Sequence, residues 1–184
     1  MIVTLQEHTD PLNLGKYAGI CYGREGNDEK RLKHIIDVGH LSVLRFGMAV
    51  FKIEGISRVC LAQLTRSKHL DYLVRSSRYC DESECDFVWP ESIKSALDDS
   101  DLIMFEAEAR RVYERMIEAG ITKQDARFFL PQAQATELYV AGNYQAWRDF
   151  LRLRLSKAAQ AEIREVATEI HKQLADVAPI IFKQ

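Results

Sequence analysis

The sequence predicts one α+β domain, and three observations carry that expectation. Residues 43–53 are rich in β-branched and aromatic residues, as strands are. Several longer segments repeat apolar residues every three or four positions, as buried helix faces do. The two kinds of segment do not alternate regularly, so a doubly wound parallel sheet is not expected.

In chain order, residues 2–5 read as a short strand, and 12–22 and 29–38 as short helices. Gly23-Arg24-Glu25-Gly26-Asn27-Asp28 reads as the turn between them. Residues 43–53 read as a strand that stops at Glu54-Gly55. Apolar side chains fall on both of its faces, Leu44, Phe46, Met48 and Val50 against Ala49, Phe51 and Ile53, which predicts burial on both sides. Ser57 is a good N-cap for a helix running to Leu64. Leu102, Phe105, Ala109, Val112 and Met116 form the apolar stripe of a helix that Gly120 ends. Thr122 and Asp125 predict a capping box, and Pro131 the end of the helix that follows it. Residues 137–141 read as a strand, and Asn143 as the cap of a helix containing Trp147, Phe150 and Leu151. Ile163, Val166, Ile170, Leu174 and Val177 line a last long helix before Pro179.

The 184 residues suit one domain, and 47% apolar with 28% charged residues is ordinary for a soluble chain. A formal net charge of -2 gives no global attraction to nucleic acid or to membranes. No stretch approaches the ~20 apolar residues of a membrane span, and the first ten residues do not read as a secretion signal. Cytoplasmic location with reduced thiols at Cys21, Cys60, Cys80 and Cys85 is the expectation. The five histidines fall in no strong metal spacing, and no metal site is expected.

The chemistry is concentrated in residues 63–79, QLTRSKHLDYLVRSSRY. Read alone, this is a loop after a helix that carries several Arg and Lys residues and several hydroxyls. Arginine suits phosphate, because its planar fork makes paired, charge-assisted bonds.

The same stretch resembles the flavin-dependent thymidylate synthase family, whose motif is R-H-R-x-x-S-x-N-E-x-S-x-R-Y with Gln-Leu just upstream. Gln63, Leu64, Arg66, Ser76, Arg78 and Tyr79 match it without gaps. Gly39-His40-Leu41-Ser42, Gly55-Ile56-Ser57-Arg58, Ala126-Arg127-Phe128-Phe129-Leu130-Pro131, Gly142-Asn143, Arg154, Glu162-Ile163-Arg164 and the closing Pro179 and Phe182 follow in family order. The resemblance implies a central mixed sheet flanked by helices in a homotetramer with shared sites. It implies a pyrimidine nucleoside monophosphate held by Gln63, Arg66, Ser76, Arg78, Arg127 and Arg154. Arg154 is implied as the catalytic cation beside the uracil ring, and Arg66, Ser67, Lys68, Asn143 and Asp149 as the residues toward FAD. Methylenetetrahydrofolate and NADPH are implied as co-substrates, with dUMP methylated at C5.

The sequence departs from the family where flavin is expected. The R-H-R triplet is Arg66-Ser67-Lys68, the motif serine is Asp71, and the N-E pair is Leu73-Val74. The family's E-H is Arg45-Phe46, its asparagine-x-arginine is Asn143-Tyr144-Gln145, and a later asparagine is Asp149. These changes leave two other readings open. One is a relative that modifies C5 of UMP or dCMP, or uses flavin differently. The other is a non-catalytic nucleotide-binding subunit.

Overall fold

The computed structural model describes residues 1–183. Four strands, β1 (Ile2–His8), β2 (Met48–Ser57), β3 (Leu70–Val74) and β4 (Ala135–Asn143), form one sheet in the order β1-β2-β4-β3. Every pairing is antiparallel, so the expected mixed sheet is corrected to an antiparallel one.

The helices are α1 (Pro11–Tyr22), α2 (Asp28–Asp37), α3 (Arg58–Leu64), α4 (Glu91–Lys94), α5 (Asp99–Glu118), α6 (Lys123–Ala126), α7 (Tyr144–Arg154), α8 (Ala161–Val177) and α9 (Pro179–Phe182). Two 3-10 turns, Leu41–Phe46 and Arg127–Phe129, complete the chain.

Caps fix where helices begin. Ser57 accepts from the Cys60 amide at 3.0 Å, and Glu162 of α8 in turn accepts from the Ser57 amide and hydroxyl at 2.7 and 2.6 Å. Asn143 accepts from the Ala146 amide at 2.9 Å and starts α7, as the sequence predicts. Thr122 does not close a capping box: its hydroxyl donates to Asp125 at 3.0 Å and caps no backbone amide.

One face of the sheet is buried. Ala49, Phe51, Ile53, Leu138 and Val140 pack against Trp147, Phe150, Ile163, Val166 and Ile170, all nearly inaccessible. Trp147 donates to the Ala49 carbonyl at 3.1 Å, which locks the rotation of α7 on β2. The free edge of β1 is covered by α8, where the Gln173 amide accepts from the Leu5 N–H and donates to the Val3 carbonyl, both at 2.8 Å.

Three sequence expectations change here. The strand expected over 43–53 starts at Met48, because residues 41–46 wind into a 3-10 turn that folds back on α1 and α7. Its two faces are not both buried within the chain. Met48 is exposed, while Lys52 and Glu54 pair with each other at 2.7 Å on the open face. Finally, residues 70–74, read as loop, are the edge strand β3.

Gly15 is the closest contact between α1 and α2. A Cβ there meets the backbone carbonyl of Asp28, a rigid neighbour. Gly15→Ala is expected to cost about 1–3 kcal/mol, read as a lower urea midpoint with an unchanged slope. An unchanged midpoint would mean that α2 shifts freely on α1.

Candidate functional site

The candidate residues gather at the two ends of β3. At its start, the turn Thr65–His69 presents Arg66 and Lys68 to solvent, and neither side chain has a hydrogen bond or ion pair among the described residues. The turn is anchored from inside: the Tyr72 hydroxyl donates to the Leu64 and Ser67 carbonyls, at 2.8 and 3.1 Å. Leu70 pairs with Gly142, so Asn143 and the start of α7 stand beside this turn. A Cβ at 142 would meet the end of the Leu70 side chain, so glycine leaves Leu70 room against the sheet.

Arg154 ends α7 and reaches back to α3, where its Nη2 donates to the Gln63 carbonyl at 2.7 Å. Its Nε is buried without a partner. A buried guanidinium with an unspent donor costs stability unless something supplies an acceptor. This is a cation held ready for one.

At the other end of β3, the chain turns through Ser76–Cys80, with the Tyr79 and Cys80 amides donating to the Ser76 carbonyl at 3.0 and 2.9 Å. Arg78 is exposed and lies over the Tyr79 ring, 5.7 Å from its centroid. Arg127 comes from the turn after α6 and donates to the Ser77 hydroxyl at 3.2 Å. Ser77 is buried, and Lys123 ties the same loop by donating to the Tyr79 carbonyl at 3.2 Å.

Gln63, Arg66, Ser67, Lys68, Asn143 and Arg154 thus form one group, and Ser76, Arg78 and Arg127 another. β3 separates them by roughly 13 Å of extended chain. Asp149 stands on α7, with one carboxylate oxygen taken by Arg152 at 3.2 Å and the other by Gln145 at 3.2 Å.

Sequence reasoning missed two residues. Ser77, not only Ser76, holds Arg127. Arg58 starts α3, and its Nη2 is buried with no partner. Burial lowers its pKa, Glu82 opposes this, and the nearby Arg127 and Arg75 add to it. The signal was available: a cation in the first helical turn opposes the helix dipole, so that position serves something other than the helix.

The cysteines offer no activated nucleophile at Cys60 or Cys85. Burial pushes their thiols up to about 12 and about 11, where thiolate is scarce at neutral pH.

Beside Phe46 a largely apolar recess of about 720 Å³ opens between α1 and the 3-10 turn, lined by Tyr17, Ile20, Tyr22, His40, Val43 and Phe46. It contains none of the arginines above. The buried, unspent donors at Arg154 and Arg58 are the stronger mark of a ligand. No helix is long and apolar enough to cross a membrane among the described residues.

The fold is α+β, with a group of arginines at each end of an edge strand. The sequence profile of the family described as "Thymidylate synthase complementing protein" matches residues 4–180, and the chain belongs to that family. It is 38% identical to a flavin-dependent thymidylate synthase of Mycobacteroides abscessus, over 86% of this chain and 70% of that one. It is 41% identical to the enzyme of the same name from Mycobacterium tuberculosis, over 82% and 67%. The fold matches that of a Helicobacter pylori flavin-dependent thymidylate synthase solved with FAD and dUMP. That match has a TM-score of 0.81 at 23% identity, over 99% of this chain and 98% of that one.

Proposed function

We propose that the chain is a divergent flavin-dependent thymidylate synthase that methylates C5 of dUMP. In this reading FAD is the redox carrier, methylenetetrahydrofolate the carbon donor and NADPH the reductant, and the working unit is a homotetramer. The observation that carries it is Arg154, a half-buried cation with one donor committed to Gln63 and another unspent.

Each residue has a chemical part. Arg78 and Arg127 take the nucleotide phosphate, with Ser76 and Ser77 as hydroxyl partners. Arg154 stands at the uracil edge and stabilises negative charge on the ring as N3 loses its proton. A preorganised cation at a developing anion lowers the barrier most where water is excluded. A more electron-rich C5 then attacks the one-carbon unit without a cysteine nucleophile. This agrees with the high thiol pKa values at Cys60 and Cys85.

The residues present fit the anionic part of FAD. Arg66 and Lys68 are unpaired cations on one turn, suited to a diphosphate. The Asn143 amide nitrogen stays available beside them, since only its oxygen caps α7. When bound, the flavin would supply the hydride that reduces the transferred carbon. Leu73, 76% exposed, and Phe46, 68% exposed, offer no polar anchor where the family has them. Together they support a flavin held more loosely than in the relatives.

The substrate assignment predicts that dUMP binds and that Arg78→Ala lowers its affinity by about 1.5–3 kcal/mol. Calorimetric titration with dUMP, UMP and dCMP measures this. Binding of none of the three, or an unchanged affinity in Arg78→Ala, contradicts the pocket. Preferred binding of UMP or dCMP selects the relative with altered substrate.

The cofactor assignment predicts FAD that is partly lost on purification and regained on adding FAD with dUMP. Fluorescence quenching during titration reports it. Restoring the family triplet with Ser67→His and Lys68→Arg is expected to tighten FAD. Absence of binding at any practical FAD concentration contradicts flavin dependence.

A further inference from the structure

The loop that carries Ser76, Ser77 and Arg78 is closed by an ion pair at its base. Arg75 precedes the loop and Glu82 follows it, and Arg75 Nε lies 3.5 Å from Glu82 Oε1. Arg75 is itself fixed. Its amide donates to the Glu137 carbonyl at 3.0 Å, which ends β3, and its Nη2 donates to the Asp81 carbonyl at 3.3 Å. Glu82 is only 4% exposed. Its amide donates to the hydroxyl of the buried Tyr113 of α5 at 3.4 Å, and its carbonyl accepts from the Cys85 amide at 3.2 Å. The backbone at Glu82 is thus pinned to α5 while its carboxylate points back at the loop.

Glu82 Oε1 is buried and makes no hydrogen bond of its own. Arg75 also lies 3.6 Å from Glu137, so the base of the loop sets one guanidinium between two carboxylates. Arg58 Nη2 is buried and has no partner among the described residues. A phosphoryl group carries roughly -1.5 to -2 at neutral pH and has three acceptor oxygens. It matches the exposed Arg78 and the unspent Arg58 donor.

We propose that Glu82 is a positioning residue of the nucleotide phosphate site, holding Arg75 so that the Ser76–Arg78 loop presents its donors in a fixed geometry. This rests on the nucleotide reading above. Glu82 does not touch the ligand. It acts through Arg75, fixing the loop at both ends before the phosphate arrives. Removing its charge while keeping its shape loosens the loop.

The test is dUMP and FAD affinity measured in parallel for the wild type, Glu82→Gln and Glu82→Asp. The expected result is a loss of dUMP affinity on the order of tenfold in Glu82→Gln, the scale of one charged hydrogen bond. FAD affinity should stay within about twofold, because the cofactor group lies at the far end of β3. Glu82→Asp, which keeps the charge, should recover most of the dUMP affinity. If Glu82→Gln does not fold, Arg75→Met removes the other half of the pair at a more exposed position and is expected to show the same split. Equal dUMP affinity in wild type and variant overturns the inference, as does an equal loss for both ligands. A wild-type protein that binds no dUMP overturns the nucleotide reading itself, and the inference with it.

Discussion

β3 is five residues long, and that length governs how the candidate site is built. The strand is pinned on one side only, by β4, and it delivers a basic turn at each end. Gly142 lets Leu70 settle on the sheet, and Glu137 fixes the other end through the Arg75 amide. Two arginine groups are therefore held apart by a rigid spacer. In the proposed homotetramer a second copy of the chain lays its own group alongside, so that Arg78 and Arg127 of one copy and Arg154 of another reach one nucleotide. The open face of the sheet, with Met48, Leu73 and Tyr139 exposed, offers apolar surface for such packing.

The position of Arg154 follows from events at the far end of its helix. Asn143 sets the first turn of α7, and the Trp147 bond to Ala49 sets its rotation. Phe150 and Leu151 then bury the face that keeps α7 on the sheet. Arg154 closes the helix on the side facing α3, where the Gln63 carbonyl is waiting. Disturbing the cap or the tryptophan therefore displaces a residue about two and a half turns away.

Much of this was legible in the sequence. The α7 and α8 stripes, the Ser57 and Asn143 caps and the family order of motifs each rest on local patterns, and local patterns survive folding. The stripe expected on α5 holds at Leu102 and Ala109 but not at Phe105, which is exposed, while Tyr113 is buried instead. β3 did not show itself, because its inward residues Leu70, Tyr72 and Val74 alternate with Asp71 and Leu73 inside a run of charges, and a five-residue alternation is weak. The start of β2 was misplaced for a related reason. Leu41–Phe46 is as apolar as a strand, but it winds into a 3-10 turn against α1 and α7, and that contact is tertiary. The site residues were legible individually. Their division into two groups was not, since it depends on β3 being a strand. Glu82 gave no sign in the sequence, because what marks it is burial beside Arg75, and burial is a tertiary property.

The central claim is that nucleotide is held by arginines from more than one copy of the chain. Subunit mixing tests it most directly. Arg78→Ala and Arg154→Ala variants are each prepared, unfolded together and refolded as a mixture, and dUMP binding is measured against each variant refolded alone. The account predicts weak binding in each variant alone and a fraction of restored, wild-type-like sites in the mixture. A mixture that binds no better than the sum of its parts would place every nucleotide contact within one chain and contradict it.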